Sequence, residues 1–345
     1  MHAITGTLKD YDWGPVDGLE PWAGVSGAPQ AELWFGAHPS GPSRLRDGGG
    51  RTLLDEVGVD EVPLLVKLLS AGSPLSIQVH PDARLSATGR FTDRVEKNEM
   101  IVALEPFSAH AGWREADVAA DILGAAGVPA EIVADVRAGR RESAIAELFG
   151  LHPSRVGPCV DALAGAAAAV GVDEAAVEAL DHVIASHPSD PGCLVAVLLE
   201  HTLLAPGDAL YLPAGIVHSY VRGLGVEVMT SSDNVLRLGL TSKPVALADA
   251  LQAIREDRAP ARFLGPMSQV SPAGAPFSVH VVRDELVTSE GGYRLVLVIE
   301  GSAVVTCGQD ELNLKAGEAA AVLAAEPMIT VRIDGHGVIV REESA

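Results

Sequence analysis

Leu75-Ser76-Ile77-Gln78-Val79-His80-Pro81-Asp82 is the stretch whose reading decides the fold. In an extended chain side chains i and i+2 share a face, so Gln78 and His80 project together while Ile77 and Val79 pack the other way. Pro81 cannot donate to a strand ladder and ends the run. Two polar side chains therefore point into one interior. A carboxylate partner follows in Glu96-Lys97-Asn98-Glu99-Met100, and a second histidine comes much later, in Leu210-Tyr211-Leu212-Pro213-Ala214-Gly215-Ile216-Val217-His218. The Pro213-Ala214-Gly215 turn presents that imidazole at a strand start. Gln, His, Glu and His make a mixed nitrogen and oxygen metal site.

The chain has 345 residues and 48% hydrophobic content, enough for two or three domains with sizeable cores. A net charge of -21 argues against a nucleic-acid surface, which needs a basic stripe. It also repels small anions unless a local basic pocket reverses the field. The only lysines are Lys9, Lys67, Lys97, Lys243 and Lys315, and three of these five lie in segments singled out on other grounds. That pattern points to a local anion site. Cys159, Cys193 and Cys307 are odd in number and far apart, which fits reduced thiols in a cytoplasm. Met1 to Gly6 has neither a basic nor an apolar segment, so no signal peptide is expected. The small-apolar run Ala164 to Val172 is too short to span a bilayer. The expectation is a cytoplasmic protein with no membrane and no nucleic-acid partner.

Residues 1 to 109 alternate short apolar runs, Leu75 to Val79 among them, with Gly and Pro. Strands joined by turns have that rhythm, and a short helix is expected near Leu53. From Trp113 the texture changes: Glu115 to Gly124, Glu131 to Ala138, Arg141 to Phe149, Val156 to Val170 and Glu174 to Ser186 read as alanine-rich helices, the last capped by Asp173. Strand texture returns at Thr202 to Tyr211 and again at Val226 to Leu240. A helical stretch, Ala246 to Arg255, and a proline-spaced linker (Pro260, Pro266, Pro272, Pro276) lead into a last strand-rich unit. The expected division is a discontinuous metal-binding domain over 1–109 and 186–260, a helical insertion over 110–185 and a smaller β domain over 261–345. Leu204 to Leu212 and Leu314 to Val322 echo each other, each with a Gly-acid turn between two short strands. His218 stands eleven residues past Gly207, whereas the same step from Gly317 reaches Met328. Two related barrels are expected, only the first keeping a ligand. No role is expected for His38, His152, His182, His187, His201, His280 or His336.

Ser76-Ile77-Gln78-Val79-His80-Pro81-Asp82 resembles the type I phosphomannose isomerase family. So do Tyr11-Asp12-Trp13-Gly14, Ala31-Glu32-Leu33-Trp34-Phe35-Gly36-Ala37-His38-Pro39 and Pro213-Ala214-Gly215-Ile216-Val217-His218. Gly225-Val226-Glu227-Val228-Met229 and the run from Ser232 to Thr241 agree as well, and the motifs keep the family's order over most of residues 1 to 245. The resemblance implies a mainly β protein with an α insertion: a cupin (jelly-roll) domain, a helical domain and a second, smaller jelly roll. It implies one zinc per chain held by Gln78, His80, Glu99 and His218, and reversible conversion of mannose 6-phosphate to fructose 6-phosphate. The family's active-site lysine falls on Lys97 and its arginine on Arg237, while Lys67, Glu227, Asp233, Lys243, Tyr220 and Trp13 fall on positions lining its pocket. Where the family commonly reads His-Lys-Pro-Glu-Met, this chain has Glu96-Lys97-Asn98-Glu99-Met100. That removes a histidine from any proton shuttle and a proline from the turn that aims Glu99.

The chemistry explains why such residues are needed. Moving a proton between C2 and C1 passes through an enediol(ate), and a Lewis-acid metal in a low-dielectric pocket lowers that barrier by several kcal/mol. Two imidazoles, one amide and one carboxylate leave about one net positive charge on a zinc site, by formal counting. Four protein ligands normally close a structural site, so catalysis requires a fifth position. Arg237 offers a planar fork to phosphate, and Lys67, Lys97 and Lys243 offer point charges. Asp233, Glu227 and a hydroxide on the metal are the candidate bases, and a shuttle of Lys97, Asp233 and Arg237 is the favoured arrangement. Two rivals stand beside it: a non-haem iron cupin oxygenase and a non-catalytic sugar-phosphate-binding cupin. The chain is expected to act as a monomer.

Overall fold

A computed structural model describes residues 1–91, 93–265 and 268–343. Leu64–Ala71 is buried at every position, the signature of a strand covered on both faces. It pairs antiparallel with Glu32–Phe35 on one side and with the second half of His218–Thr230 on the other. Glu99–Ala103 and Ala209–Leu212 continue that sheet. The first half of His218–Thr230 pairs instead with Phe107–Trp113 and, at His218, with Gln78. One strand thus serves two sheets, and the bend falls at Gly223, where φ is 138° and the register slips between Tyr220 and Arg222. A Cβ at Gly223 would lie 2.7 Å from the Phe107 ring, so only glycine fits the crossing. Strands that switch sheets in this way close a jelly roll.

The last unit repeats the device. Arg294–Cys307 pairs with Glu318–Val322 through its first half and with Asp310–Lys315 through its second. Gly301 sits between the halves at φ 76°, with a register slip between Val298 and Glu300. The two Gly-acid turns occupy equivalent places: Gly207 and Gly317 both have positive φ, 94° and 81°, and each joins two consecutive strands, those around Gly207 having different partners and those around Gly317 pairing with the two halves of Arg294–Cys307. The echo in the sequence is therefore structural. Met328, in the place corresponding to His218, is exposed.

The helices Ala116–Ala125, Ala130–Arg137, Arg141–Gly150, Pro153–Val170 and Glu174–Ser186 lie close to the expected bounds, and the short helix Gly192–Ala196 was not expected. Asp173 caps its helix by accepting from the Ala176 amide at 3.0 Å. The short helix near Leu53 is Leu53–Val57. Leu123, Ile145 and Leu163 from the helices share a core with Ile77 and Val79, which anchors the metal-site stretch to the helical layer.

Several boundaries differ from expectation. Only Gln78–Val79 of the Leu75–Val79 run is a regular strand, because Leu75 and Ile77 donate singly to Tyr220 and Gly239 carbonyls. Thr202 to Tyr211 divides at the Gly207 turn into Leu199–Leu204 and Ala209–Leu212. The strand start expected at His218 and the strand texture expected from Val226 belong to one strand, His218–Thr230; beyond it, up to Leu240, only Leu236–Arg237 is strand. The proline-spaced linker contains Ala261–Phe263, which pairs with Ala209–Leu212, while its Pro266 lies outside the described residues. His2–Thr5 pairs with Glu318–Val322, so the first strand completes the C-terminal sheet. Ile4, Phe35 and Tyr211 then share one core with Phe277 and Leu295 from that sheet. Among the described residues no helix is long and apolar enough to cross a membrane, and the three cysteines are buried and free.

Candidate metal centre and its cleft

His80, Glu99 and His218 converge with their ligand atoms all within 4.8 Å of one another, and Glu99 and His218 line a cleft of about 620 Å³. Each comes from a separate part of the chain: the Gln78–Val79 edge, the start of Glu99–Ala103 and the start of His218–Thr230. Both imidazoles have one nitrogen committed. His80 Nδ1 donates to the Asn234 carbonyl at 2.8 Å, and His218 Nδ1 donates to the Ile216 carbonyl at 2.9 Å. A carbonyl can only accept, so each Nε2 presents a lone pair. Those lone pairs lie 3.2 and 3.1 Å from the same Glu99 oxygen, Oε2. Three electron-pair donors facing each other require a cation between them.

A proton is a poor substitute. Burial pulls the His80 imidazole down to about 4, even against the pull of Glu99, so its charged form is scarce at neutral pH. His80 Nε2 is buried without a hydrogen-bond partner. Burial works against the Glu99 carboxylate, yet its neighbours, the Lys97 ammonium among them, outweigh it and hold its pKa well below the usual range. The donor set fits a divalent ion with nitrogen and oxygen ligands. Gln78 stands directly opposite His218 across the strand pair and lines the same cleft.

The cleft gathers the other expected residues. Lys97 places Nζ 3.0 Å from Glu99 Oε1. Lys67 lies 2.6 Å from Glu227 and 3.2 Å from Glu32, all three nearly buried. These are cross-strand neighbours, Lys67 facing Glu227 on one side and Trp34 on the other. Burial opposes the Lys67 charge, but Glu227 and Glu32 overcome it and leave the ammonium above its ordinary range. For Glu227, burial and then the charges of Glu99 and Glu32 raise the pKa against the pull of Lys67. Tyr220 sits beside it, its phenol pushed well up by burial and by that carboxylate. Trp13 forms part of the wall, stacked on Tyr11 at 5.8 Å between centroids.

Arg237 and Lys243 also line the cleft, and among the described residues neither pairs with a carboxylate. In so acidic a chain two uncommitted cations beside a metal centre mark the anion end. Burial alone lowers the Arg237 pKa. Asp233 is exposed at the mouth, 3.3 Å from His38 Nε2.

Sequence reasoning missed four residues here. His38, expected to have no role, accepts from the Ser40 amide through Nδ1 and so presents an N–H to Asp233. Asp93 binds Ser232 Oγ, the Asp233 amide and Asn234 Nδ2, which fixes the loop carrying Asp233. Asn234 lends its carbonyl to His80. Glu32 is the second carboxylate on Lys67. The only available signal was Glu32, His38 and Asn234 lying inside quoted motifs; Asp93 acts through pairings that no local pattern encodes.

A jelly roll with two histidines and a carboxylate at the floor of a cation-lined cleft defines a metal-dependent cupin. Residues 1–116 match the family described as phosphomannose isomerase type I, catalytic domain. The mannose-6-phosphate isomerases of Shigella flexneri and Escherichia coli (strain K12) are each 31% identical over 391 residues, covering 99% of this chain and 99% of theirs. The crystal structure of mannose 6-phosphate isomerase from Salmonella typhimurium bound to substrate and a zinc atom is 26% identical, with a TM-score of 0.84 over 100% of both chains. The chain belongs to the type I phosphomannose isomerase family.

Proposed function

We propose that the protein is a zinc-dependent aldose–ketose isomerase that interconverts mannose 6-phosphate and fructose 6-phosphate through an enediol(ate). The observation that carries this is the shared Glu99 oxygen between two backbone-fixed imidazoles, at the floor of a cleft whose free cations are Arg237 and Lys243. Zinc held by Gln78, His80, Glu99 and His218 supplies Lewis-acid stabilisation of the charge that develops on O1 and O2.

The remaining work falls to side chains. Arg237 and Lys243 bind the phosphate, the guanidinium by a two-pronged contact and the ammonium as a point charge. Trp13 and Tyr220 bound the sugar, and Lys67 pairs with Glu227 in the cleft wall. Asp233, held by His38, takes the proton from C2 and returns it to C1, while Lys97 moves a proton between O1 and O2. Arg237 is the cross-strand partner of Gln78, so it also steadies charge developing near the metal. Its loss therefore acts on turnover as well as on binding.

The same reading takes the chain as a cytoplasmic monomer. Its catalytic cupin covers 1–109 and 186–260, with a helical insertion over 110–185 and a C-terminal jelly roll over 261–345. A coupled assay with mannose 6-phosphate tests it: turnover is expected in the zinc-loaded protein, disappears after chelation and returns with added zinc. Absence of turnover in the zinc-loaded protein, or full turnover without metal, contradicts it.

A further inference from the structure

Two residues that depart from the family's pattern, Glu96 and Asn98, have partners on the far side of the metal centre. Contacts alternate along Glu96-Lys97-Asn98-Glu99. Lys97 and Glu99 face the cleft, while Glu96 and Asn98 face the turn that precedes His218. Such alternation is what an extended chain imposes.

The turn Pro213–Ile216 touches the surroundings of all three ligands. The Ala214 amide donates to Asn98 Oδ1 at 3.2 Å, one residue from Glu99, and that oxygen also accepts the Tyr211 hydroxyl at 3.2 Å. The Gly215 amide donates to the His80 carbonyl at 2.8 Å. The Ile216 carbonyl fixes His218 Nδ1. Arg258 closes the circuit, its Nη1 donating to the Ala214 carbonyl at 2.9 Å and to Glu96 Oε1 at 2.5 Å. Gly215, at φ 90°, leaves no room for a Cβ, which would collide with the Arg255 side chain, so the turn cannot relax toward that side.

We infer that Glu96, Asn98 and Arg258 form a clamp that holds the Pro213–Ile216 turn and thereby sets Glu99, Lys97 and His218 in register for the metal. They are positioning residues, since none touches the cleft. In this chain the clamp does the work that a proline at position 98 does in the common family pattern, aiming Glu99. The inference rests on the metal-site reading above, and its test separates the two.

Zinc binding to the chelator-stripped protein is measured by competition with a chromogenic chelator, alongside the melting temperature and isomerase kinetics. Wild-type protein that binds no zinc would refute the metal-site reading itself. Given binding, Arg258→Met and Glu96→Ala are each expected to weaken zinc about 10- to 100-fold, the usual effect of losing a group that orients a ligand. At saturating zinc they lower kcat while KM stays within about twofold. Arg258→Lys keeps both donations and restores zinc affinity to within about threefold of wild type. Arg262→Met removes the same charge from the same surface without touching the turn and serves as the control for long-range electrostatics. Wild-type zinc affinity in both folded clamp variants overturns the inference, as does an equal loss in Arg262→Met. Should Arg258→Met fail to fold, the partly exposed Glu96→Ala decides alone.

Discussion

Glu99 is the residue on which most of the site's electrostatics turn. One oxygen meets both histidines and the other meets Lys97. A Glu99→Ala variant is therefore expected to lose zinc by more than about 100-fold, since losing a merely supporting group already costs 10- to 100-fold. Elemental analysis after dialysis against a chelator checks this, and stoichiometric zinc in the variant would count against it. Arg237 predicts the opposite separation. Its Ala variant should keep a full zinc complement yet lose about 1.5–3 kcal/mol of a charge-assisted contact, roughly 10- to 150-fold in kcat/KM. Steady-state kinetics with parallel metal analysis measure it; unchanged kcat/KM removes Arg237 from the substrate's contacts. Gln78 and His80 were legible as a pair because a period of two puts both side chains on one face of an apolar run, whereas Glu99 and His218 were reached from distant segments and through the family resemblance. His38, Asp93 and Arg258 were not, because what they do is defined by partners far away in the sequence, respectively Asp233, the 232–234 loop and Glu96.

The strand Phe107–Trp113 carries a group that tests the fold independently of the cleft. His110 is almost fully buried beside His201, and burial, then the charges of His201 and Arg114, pulls its pKa down to about 3. An unfolded histidine titrates near 6.5. Between those values the unfolded chain holds a proton that the native chain does not, so stability is full above about pH 6.5 and falls as the pH drops toward 3. Single-site linkage makes that loss about 2 kcal/mol between pH 7 and pH 5. His110→Phe, compared with wild type in their metal-free forms by urea denaturation, should lose less stability over that interval by about this amount. Equal losses would mean that His110 is accessible to protons in the native state. Among elements, the helices were read almost to the residue because alanine-rich periodicity and the Asp173 cap are local signals. Strand limits moved because ladders depend on the partner: the Pro213-Ala214-Gly215 turn marks His218 as a strand start, but nothing local shows that this strand runs on through Gly223 to Thr230 with a new partner.

At the scale of the molecule, the two jelly rolls share a core rather than merely a linker. His2–Thr5 is zipped to Glu318–Val322, and Phe277 packs edge-on to Tyr211 at 6.2 Å between centroids. Phe277→Ala is expected to cost about 3–5 kcal/mol, the usual range for a large aromatic removed from a core. If the shared core couples the rolls, denaturation followed by tryptophan fluorescence and by circular dichroism shifts together; a shift confined to one signal would mean that they unfold independently. The repeated architecture was legible from the two Gly-acid turns, whereas the lending of the first strand to the last sheet was not, since a run as short as His2–Thr5 carries no signal that chooses between the sheets. All of these scales meet in the metal. The most direct test of the account is to titrate zinc into the chelator-stripped protein while following mannose 6-phosphate turnover. Activity that climbs from zero in proportion to zinc and levels off at one ion per chain is the predicted result, and turnover that is present before any metal is added, or absent after it binds, would contradict it.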